Sequence, residues 1–190
     1  AKFGGLLDNA RTAEKKNDFQ KALRLIESAL KIFPENPVAL NEKARLLGHL
    51  GNEDIALGIC TKLVEKHGDD EALLTNKGFI LMKNKRYVEA MKCFDKALGK
   101  DPCIVPALNN KGQIHMLNDE FSKAMTCFDK VLKIDKKNFF AVLNKGKTYE
   151  LQGKEKLAKI HFARASRINP HEFARYVFSA ISGTEQYIWK

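Results

Sequence analysis

Residues 110–112 read Asn-Lys-Gly, and the same tripeptide occurs at residues 76–78 and 144–146. Each copy lies 34 residues after the previous one. A second series at the same spacing consists only of alanine: Ala22, Ala56, Ala90, Ala124 and Ala158. Its last three members lie twelve positions after the glycines of the three tripeptides. Two series that stay in phase over the chain indicate a tandem repeat of 34 residues.

Each repeat has the apolar spacing of two helices joined by a turn. In the fourth repeat, Leu108 and Gly112 lie on one face of the first predicted helix, and Ala124 and Phe128 lie on one face of the second. Residues 118–120 supply the turn between them. The small residues Gly112 and Ala124 let the two helices approach closely, and Phe128 fills the space beside them. One such hairpin cannot bury its apolar face alone, so neighbouring hairpins must stack on it.

A 34-residue helix–turn–helix with these positions resembles the tetratricopeptide repeat (TPR) family. The third repeat carries the family pattern in order: Leu74, Gly78, Leu81, Tyr87, Ala90, Phe94, Ala97 and Pro102. The resemblance implies an all-α, right-handed TPR solenoid of five helix–turn–helix repeats with a C-terminal capping helix. The predicted repeats are 3–36, 37–70, 71–104, 105–138 and 139–172. The capping helix is predicted at 173–182. The repeats are also similar to those of prokaryotic, including archaeal, TPR proteins.

Two parts of the sequence depart from the pattern. Lysine occupies a position that the family usually fills with an apolar residue, at Lys43, Lys77, Lys111 and Lys145. We expect the lysine stems to cover apolar surface while the ammonium groups face water. The tail 183–190 is not placed by the repeat, and the alternatives are packing on the capping helix, docking on another copy or continuing into a further domain.

In TPR proteins the first helices of successive repeats line a concave groove that binds extended peptides or partner helices. The resemblance therefore assigns Asn76, Asn110 and Asn144 to this groove, similar to the asparagine ladder in the TPR groove of the protein O-GlcNAc transferases. An Asn side chain offers one acceptor and two donors, so it can pair with both polar groups of a peptide backbone. The alternatives are that asparagine merely tolerates a solvated helix face or is left over from repeat duplication.

Further residues complete the predicted groove. One turn after the ladder position come Arg45, Phe79, Gln113 and Lys147, which we expect to contact ligand side chains, and Asn41 and Asn109 precede the ladder position. The groove is thus polar to mildly basic, which suits a peptide with some acidic character. The carboxylate clamp of chaperone-binding TPR domains is not present, because only Asn110 matches it when the clamp is placed on repeats three to five.

The charge is uneven along the chain. Lys and Arg exceed Asp and Glu by 33 to 23, and residues 71–190 hold the whole net charge of +10. RNA binding through phosphate contacts is an alternative, but single-stranded binders normally interleave aromatic residues along a basic groove. We expect a protein or peptide partner, with self-association through groove and tail as a further possibility.

The sequence contains no motif for catalysis, a cofactor or a metal. CxxC, HExxH, the phosphate-binding loop and the nucleophile elbow do not occur. We therefore predict a non-enzymatic interaction module without cofactor, the alternative being the regulatory TPR segment of a larger enzyme. No uncharged apolar run reaches the roughly 18–20 residues that span a bilayer. Four cysteines do not make a disulfide scaffold, so we expect a reduced, cytoplasmic location.

Overall fold

The computed structural model of the chain describes residues 2–182. Within that range the chain forms eleven α-helices and no β-strand, which confirms the all-α prediction. The tail 183–190 lies outside the described residues. The helices are α1 (Phe3–Lys15), α2 (Phe19–Ile32), α3 (Pro37–His49), α4 (Glu53–His67), α5 (Glu71–Lys83), α6 (Tyr87–Lys100), α7 (Val105–Leu117), α8 (Phe121–Ile134), α9 (Phe139–Leu151), α10 (Glu155–Ile168) and α11 (Pro170–Ser182).

The helices form two compact units. The N-terminal unit ends at Asp101 and contains α1–α6, and the C-terminal unit begins at Pro102 and contains α7–α11. In each unit every helix packs against the next one along the chain, and two first helices of neighbouring hairpins also touch, α3 with α5 and α7 with α9. Each unit is therefore a stack of hairpins in which first helices lie beside first helices, as in helical repeat proteins.

The turn inside each hairpin has the same backbone conformation. In every hairpin, the second-to-last residue before the second helix has a positive φ of 58–82°: Asn17, Gly51, Lys85, Asp119 and Gly153. Glycine adopts this left-handed region without penalty, and Asn and Asp tolerate it better than other residues. The turn position is thus a second marker of the 34-residue period, although its residue type varies.

Glycine in the first helix and phenylalanine in the second helix fit together. A Cβ atom built on Gly112 would lie 2.5 Å from Cε1 of Phe128, and one on Gly78 would lie 2.6 Å from Cε1 of Phe94. Both phenylalanines are fully buried. The expected close approach of the two helices is confirmed, because the ring occupies the space of the missing side chain.

Side chains cap the helices that begin several of the hairpins. Asp70 accepts hydrogen bonds from the backbone N–H groups of Ala72 and Leu73, at 2.9 and 3.0 Å, before α5. Asn36 and Asn138 act in the same way before α3 and α9. Each cap satisfies N–H groups that have no partner inside the helix, and so fixes where the first helix of the hairpin begins.

Two of the four lysines that depart from the family pattern, Lys43 and Lys145, form ion pairs between hairpins. Lys43 on α3 binds Glu27 on α2 with Nζ 3.1 Å from Oε1, and Lys145 on α9 binds Asp129 on α8 with Nζ 2.6 Å from Oδ1. The Lys145 side chain is only 13% exposed. The sequence predicted that these ammonium groups face water, but in Lys43 and Lys145 they bind a carboxylate. In both cases the acid lies sixteen residues before the lysine.

Candidate functional site

The structure brings the nine predicted groove residues together in two groups. In the N-terminal unit, Asn41 and Arg45 lie on α3, and Asn76 and Phe79 lie on α5. In the C-terminal unit, the residues are Asn109, Asn110 and Gln113 on α7, and Asn144 and Lys147 on α9. Since α3 packs on α5 and α7 packs on α9, each group spans two neighbouring first helices.

Arg45 is bound inside the chain. Its guanidinium forms a two-pronged pair with Glu14 on α1, with Nη2 at 2.6 Å from Oε2, and Nε donates to Oε2 of Glu42 at 3.2 Å. The side chain is 19% exposed. Burial alone would lower the pKa of Arg45, but the hydrogen bonds and charges of Glu14 and Glu42 raise it above its usual value. Arg45 thus links α3 to α1, and its charge is balanced by two carboxylates.

Phe79 belongs to an aromatic stack. Its ring and that of His49 lie with centroids 4.7 Å apart, and His49 stacks almost parallel on Phe19, also at 4.7 Å. Phe79 is buried. Such rings contribute packing and offset-stacking energy, so in this arrangement Phe79 joins α5 to the hairpin before it.

The two asparagines of the N-terminal unit differ in environment. Asn41 is buried, and its Oδ1 has no hydrogen-bond partner among the described residues. Asn76 is partly exposed on α5. Of the four predicted residues in this unit, Asn76 is the one that is partly exposed and belongs to neither an ion pair nor an aromatic stack.

The amides of the C-terminal unit are nearly buried. Asn110, Gln113 and Asn144 are 8%, 1% and 3% exposed. Nδ2 of Asn144 is buried and has no hydrogen-bond partner among residues 2–182. A buried amide N–H without a partner costs about 1–3 kcal/mol, so an acceptor for this group would be stabilising.

Asn109 has a structural contact of its own. Its Nδ2 lies 3.4 Å from Oδ1 of Asn138, the residue that caps α9. Its Oδ1 is buried and has no partner in the described part of the chain. Asn109 therefore supports the start of α9 with one end of its amide.

Lys147 is covered by the last helix. Its Nζ lies 4.7 Å from the centroid of the Tyr176 ring on α11, which is a cation–π contact. Burial lowers the pKa of Lys147 to about 8, partly offset by the charge of Glu150. Lys147 is thus a weakly hydrated cation at the α9–α11 edge of the C-terminal unit.

Some residues that bind the predicted ones were not expected from the sequence. Glu14 lies 31 positions before Arg45, and Tyr176 lies 29 positions after Lys147. Both spacings are close to one repeat, so a search for complementary residues slightly less than one repeat apart would have found them. Asn109 and Asn138 show the same spacing of 29.

Family models described as Tetratricopeptide repeat match residues 13–77, 72–102, 105–138 and 141–172, which together are most of the chain. The chain belongs to the tetratricopeptide repeat family. The TPR fold generally mediates protein–protein interaction. The sequence matches no curated protein.

Solved TPR structures share the fold. A thermophilic TPR protein of Thermus thermophilus is 22% identical, with 94% of this chain and 97% of that chain covered and a TM-score of 0.83. PilF of Pseudomonas aeruginosa is 16% identical, with 88% and 76% covered and a TM-score of 0.68. YrrB, described as a TPR protein with an unusual peptide-binding site, is 18% identical, with 92% and 90% covered and a TM-score of 0.61. At these identities the likeness shows the fold alone.

The described residues of this TPR protein contain neither a membrane-spanning helix nor a cluster of metal-ligating side chains. No helix within residues 2–182 is long and apolar enough to cross a membrane. In the same range no three His, Cys, Asp or Glu side chains are grouped so that they could hold a metal ion. Cys60, which the repeat places at the aromatic position of the second helix, is buried, and burial raises the pKa of its thiol to about 12.

Proposed function

We propose that this TPR protein is a non-enzymatic interaction module that binds an extended peptide or a partner helix on its first helices. The observation that supports this most is the buried Nδ2 of Asn144, which has no hydrogen-bond partner among the described residues. A peptide carbonyl is the acceptor that this group lacks. Asn110 on the adjoining helix α7 offers a second amide, and Asn76 on α5 offers a partly exposed amide in the N-terminal unit.

An amide in a sheltered position suits backbone recognition. A hydrogen bond is stronger where water is excluded, so one contact there contributes more than at an open surface. Because Asn110 and Asn144 are less than one tenth exposed, a ligand reaches them only when neighbouring side chains change rotamer, which is common at protein interfaces. We therefore expect binding to depend little on ligand sequence at these two positions.

Recognition of ligand side chains is assigned to other residues than the asparagines. Lys147 provides a cation beside Tyr176, which favours an acidic group on the ligand. Arg45 and Phe79 are engaged within the chain, and we propose for them a role in holding the first helices in place. Self-association through groove and tail and the cytoplasmic location stay predictions.

Selection from a random peptide library on the immobilised chain tests the proposal. Asn110→Ala/Asn144→Ala examines the C-terminal unit and Asn76→Ala the N-terminal unit. Asn9→Ala/Asn52→Ala/Asn118→Ala is the control, because these three asparagines are exposed. We expect the control to retain the selected peptides and Asn110→Ala/Asn144→Ala to bind them on the order of tenfold more weakly for each lost hydrogen bond.

The result can also contradict the proposal. If Asn110→Ala/Asn144→Ala and Asn76→Ala, shown by circular dichroism to be folded, bind the selected peptides as tightly as the parent chain, the amides do not hold a ligand backbone. N-methylation of single peptide bonds in a selected ligand gives a complementary measurement, since it removes backbone donors and leaves side chains unchanged.

A further inference from the structure

Four cations line an open concavity on the C-terminal unit. Lys136 and Lys137 come from the loop between α8 and α9, and Arg164 and Arg167 come from the second half of α10, with Ile168 beside them. All four charged side chains are exposed. No acidic residue of the described chain lines this concavity, which we call the cationic concavity.

The loop that carries the two lysines is held in place by hydrogen bonds. Asp135 accepts from the backbone N–H of Lys137 at 3.0 Å and from Nδ2 of Asn138 at 3.2 Å. Nη2 of Arg164 donates to the backbone carbonyl of Lys136 at 2.7 Å. The loop and α10 are therefore joined directly, and the two lysines and two arginines line one concavity on this hydrogen-bonded backbone.

The same place in the N-terminal unit is neutralised by acids. Two loops there carry an acid at the position that corresponds to Lys137 in the 34-residue register, and each acid binds a lysine of the second helix that follows. Glu35 pairs with Lys66 at 3.0 Å, and Asp69 pairs with Lys96 at 3.0 Å. These pairs lie within one unit and show that an acid at this position can pair with a lysine of the second helix that follows.

In the C-terminal unit the sign of the loop residue is reversed. Lys137 stands where Glu35 and Asp69 stand, and Arg164 occupies the register position of Lys96. None of the four cations of the concavity forms an ion pair with a described residue. Like charges that lie close together repel one another, so a bound anion would replace the missing loop carboxylate and relieve that repulsion.

We propose that the cationic concavity binds a phosphate-type oxyanion, carried by a phosphorylated side chain of a partner protein or present as free phosphate. Arginine favours such groups because its planar fork donates two hydrogen bonds to one oxyanion. A phosphate also accepts from several donors at once, which suits four cations that line one concavity better than a single carboxylate does. The site uses the α8–α9 loop and α10, so it is independent of the amides proposed to bind a peptide.

An NMR titration of the full chain, labelled with ¹⁵N, tests the site at low salt and about pH 7.5, where phosphate is mostly doubly charged. One arm adds inorganic phosphate and a second adds acetyl-Gly-phosphoserine-Gly-amide. A third adds the same peptide with glutamate in place of phosphoserine. We expect saturable shifts of the Arg164 and Arg167 Nε–H signals and of the Lys137 amide. Tighter binding of the phosphopeptide than of phosphate identifies a phosphorylated partner as the source, and the reverse identifies free phosphate.

Variants distinguish a specific anion-binding site from non-specific attraction by the net charge. Arg164→Gln/Arg167→Gln should weaken phosphate binding on the order of tenfold or more. Lys156→Gln/Lys159→Gln removes the same charge from two exposed positions of the same helix and should change the affinity less than twofold. Lys137→Glu restores the acid found in the N-terminal loops and should abolish binding without lowering Tm.

Four outcomes would overturn the proposal. Equal losses in the two double variants would show non-specific attraction by the net charge. Unchanged binding by Lys137→Glu would show that the anion lies elsewhere. Equal affinity for the glutamate peptide and the phosphoserine peptide, or shifts that never saturate, would exclude a phosphate-type site.

Discussion

The fit of Gly78 against Phe94 gives a prediction whose size follows from the distances between their atoms. A Cβ at residue 78 would lie 2.6, 2.9 and 3.0 Å from three atoms of the Phe94 ring, whereas carbon atoms normally rest about 3.5–4.0 Å apart. The ring is fully buried, so the helices must move by roughly 1 Å or the ring must leave its rotamer. Overpacking of this kind costs about 1–3 kcal/mol.

Gly78→Ala also brings a gain, because alanine is a better helix former than glycine by about 1 kcal/mol. Gly58→Ala is the control, because it brings the same gain in helix propensity without a steric clash. Gly58 lies inside α4 of the same unit, and a Cβ there would meet nothing within 4 Å. We expect Gly58→Ala to be stabilised by about 1 kcal/mol and Gly78→Ala to be about 1–3 kcal/mol less stable than Gly58→Ala.

Urea unfolding followed by far-UV circular dichroism measures both variants, with m-values checked because stacked repeats do not always unfold in two states. Phe94→Ile completes a double-mutant cycle, since the first repeat pairs Ala10 with Ile26 in place of glycine with phenylalanine. The double variant should be more stable than the two single losses predict. Equal stability of Gly78→Ala and Gly58→Ala, or a coupling energy near zero, would refute this account of the packing.

Three further predictions concern single residues. Because burial lowers the pKa of Lys147 from 10.5 to about 8, the folded state binds fewer protons between these values. The unfolding free energy of the parent chain should therefore rise with pH over that window relative to Lys147→Met. If the urea midpoints of the two proteins change with pH by the same amount, this explanation is wrong. Asp70→Ala should cost about 1 kcal/mol in urea unfolding, whereas Asn52→Ala should be nearly neutral because Asn52 makes no side-chain capping bond; equal effects would refute a capping role. Iodoacetamide should modify the exposed Cys103 in the native protein and the buried Cys60 only after unfolding, which mass spectrometry of digests detects; early modification of Cys60 would show that the core opens.

The period and the helical content were predictable because they rest on residues that cannot be exchanged freely. Gly78 and Phe94 must change together, so their positions recur in phase and reveal the repeat. The left-handed turn position is less visible in the sequence. Lys85 and Gly51 both occupy it with positive φ, because the turn is fixed by its surroundings more than by the residue.

The candidate site was predicted less completely, since a residue's own position in the repeat does not show which neighbour binds it. Arg45 lies on the predicted surface but is held by Glu14, which belongs to another hairpin. Asn144 lies on a first helix as expected, yet its burial depends on side chains from several elements. Contacts between hairpins decide which predicted groups stay open to a ligand, and those contacts need three-dimensional coordinates.

The ion pairs of Lys43 with Glu27 and of Lys145 with Asp129 each join one hairpin to the hairpin before it. In a stacked array, stability divides into the intrinsic stability of each repeat and the coupling between nearest neighbours. Salt screens partly exposed ion pairs, so it should reduce the coupling and leave the intrinsic part nearly unchanged. Lys77 has Thr61 at the corresponding position sixteen residues earlier, so its junction contains no such pair. Ionic strength should therefore control how far along the chain an unfolding event spreads.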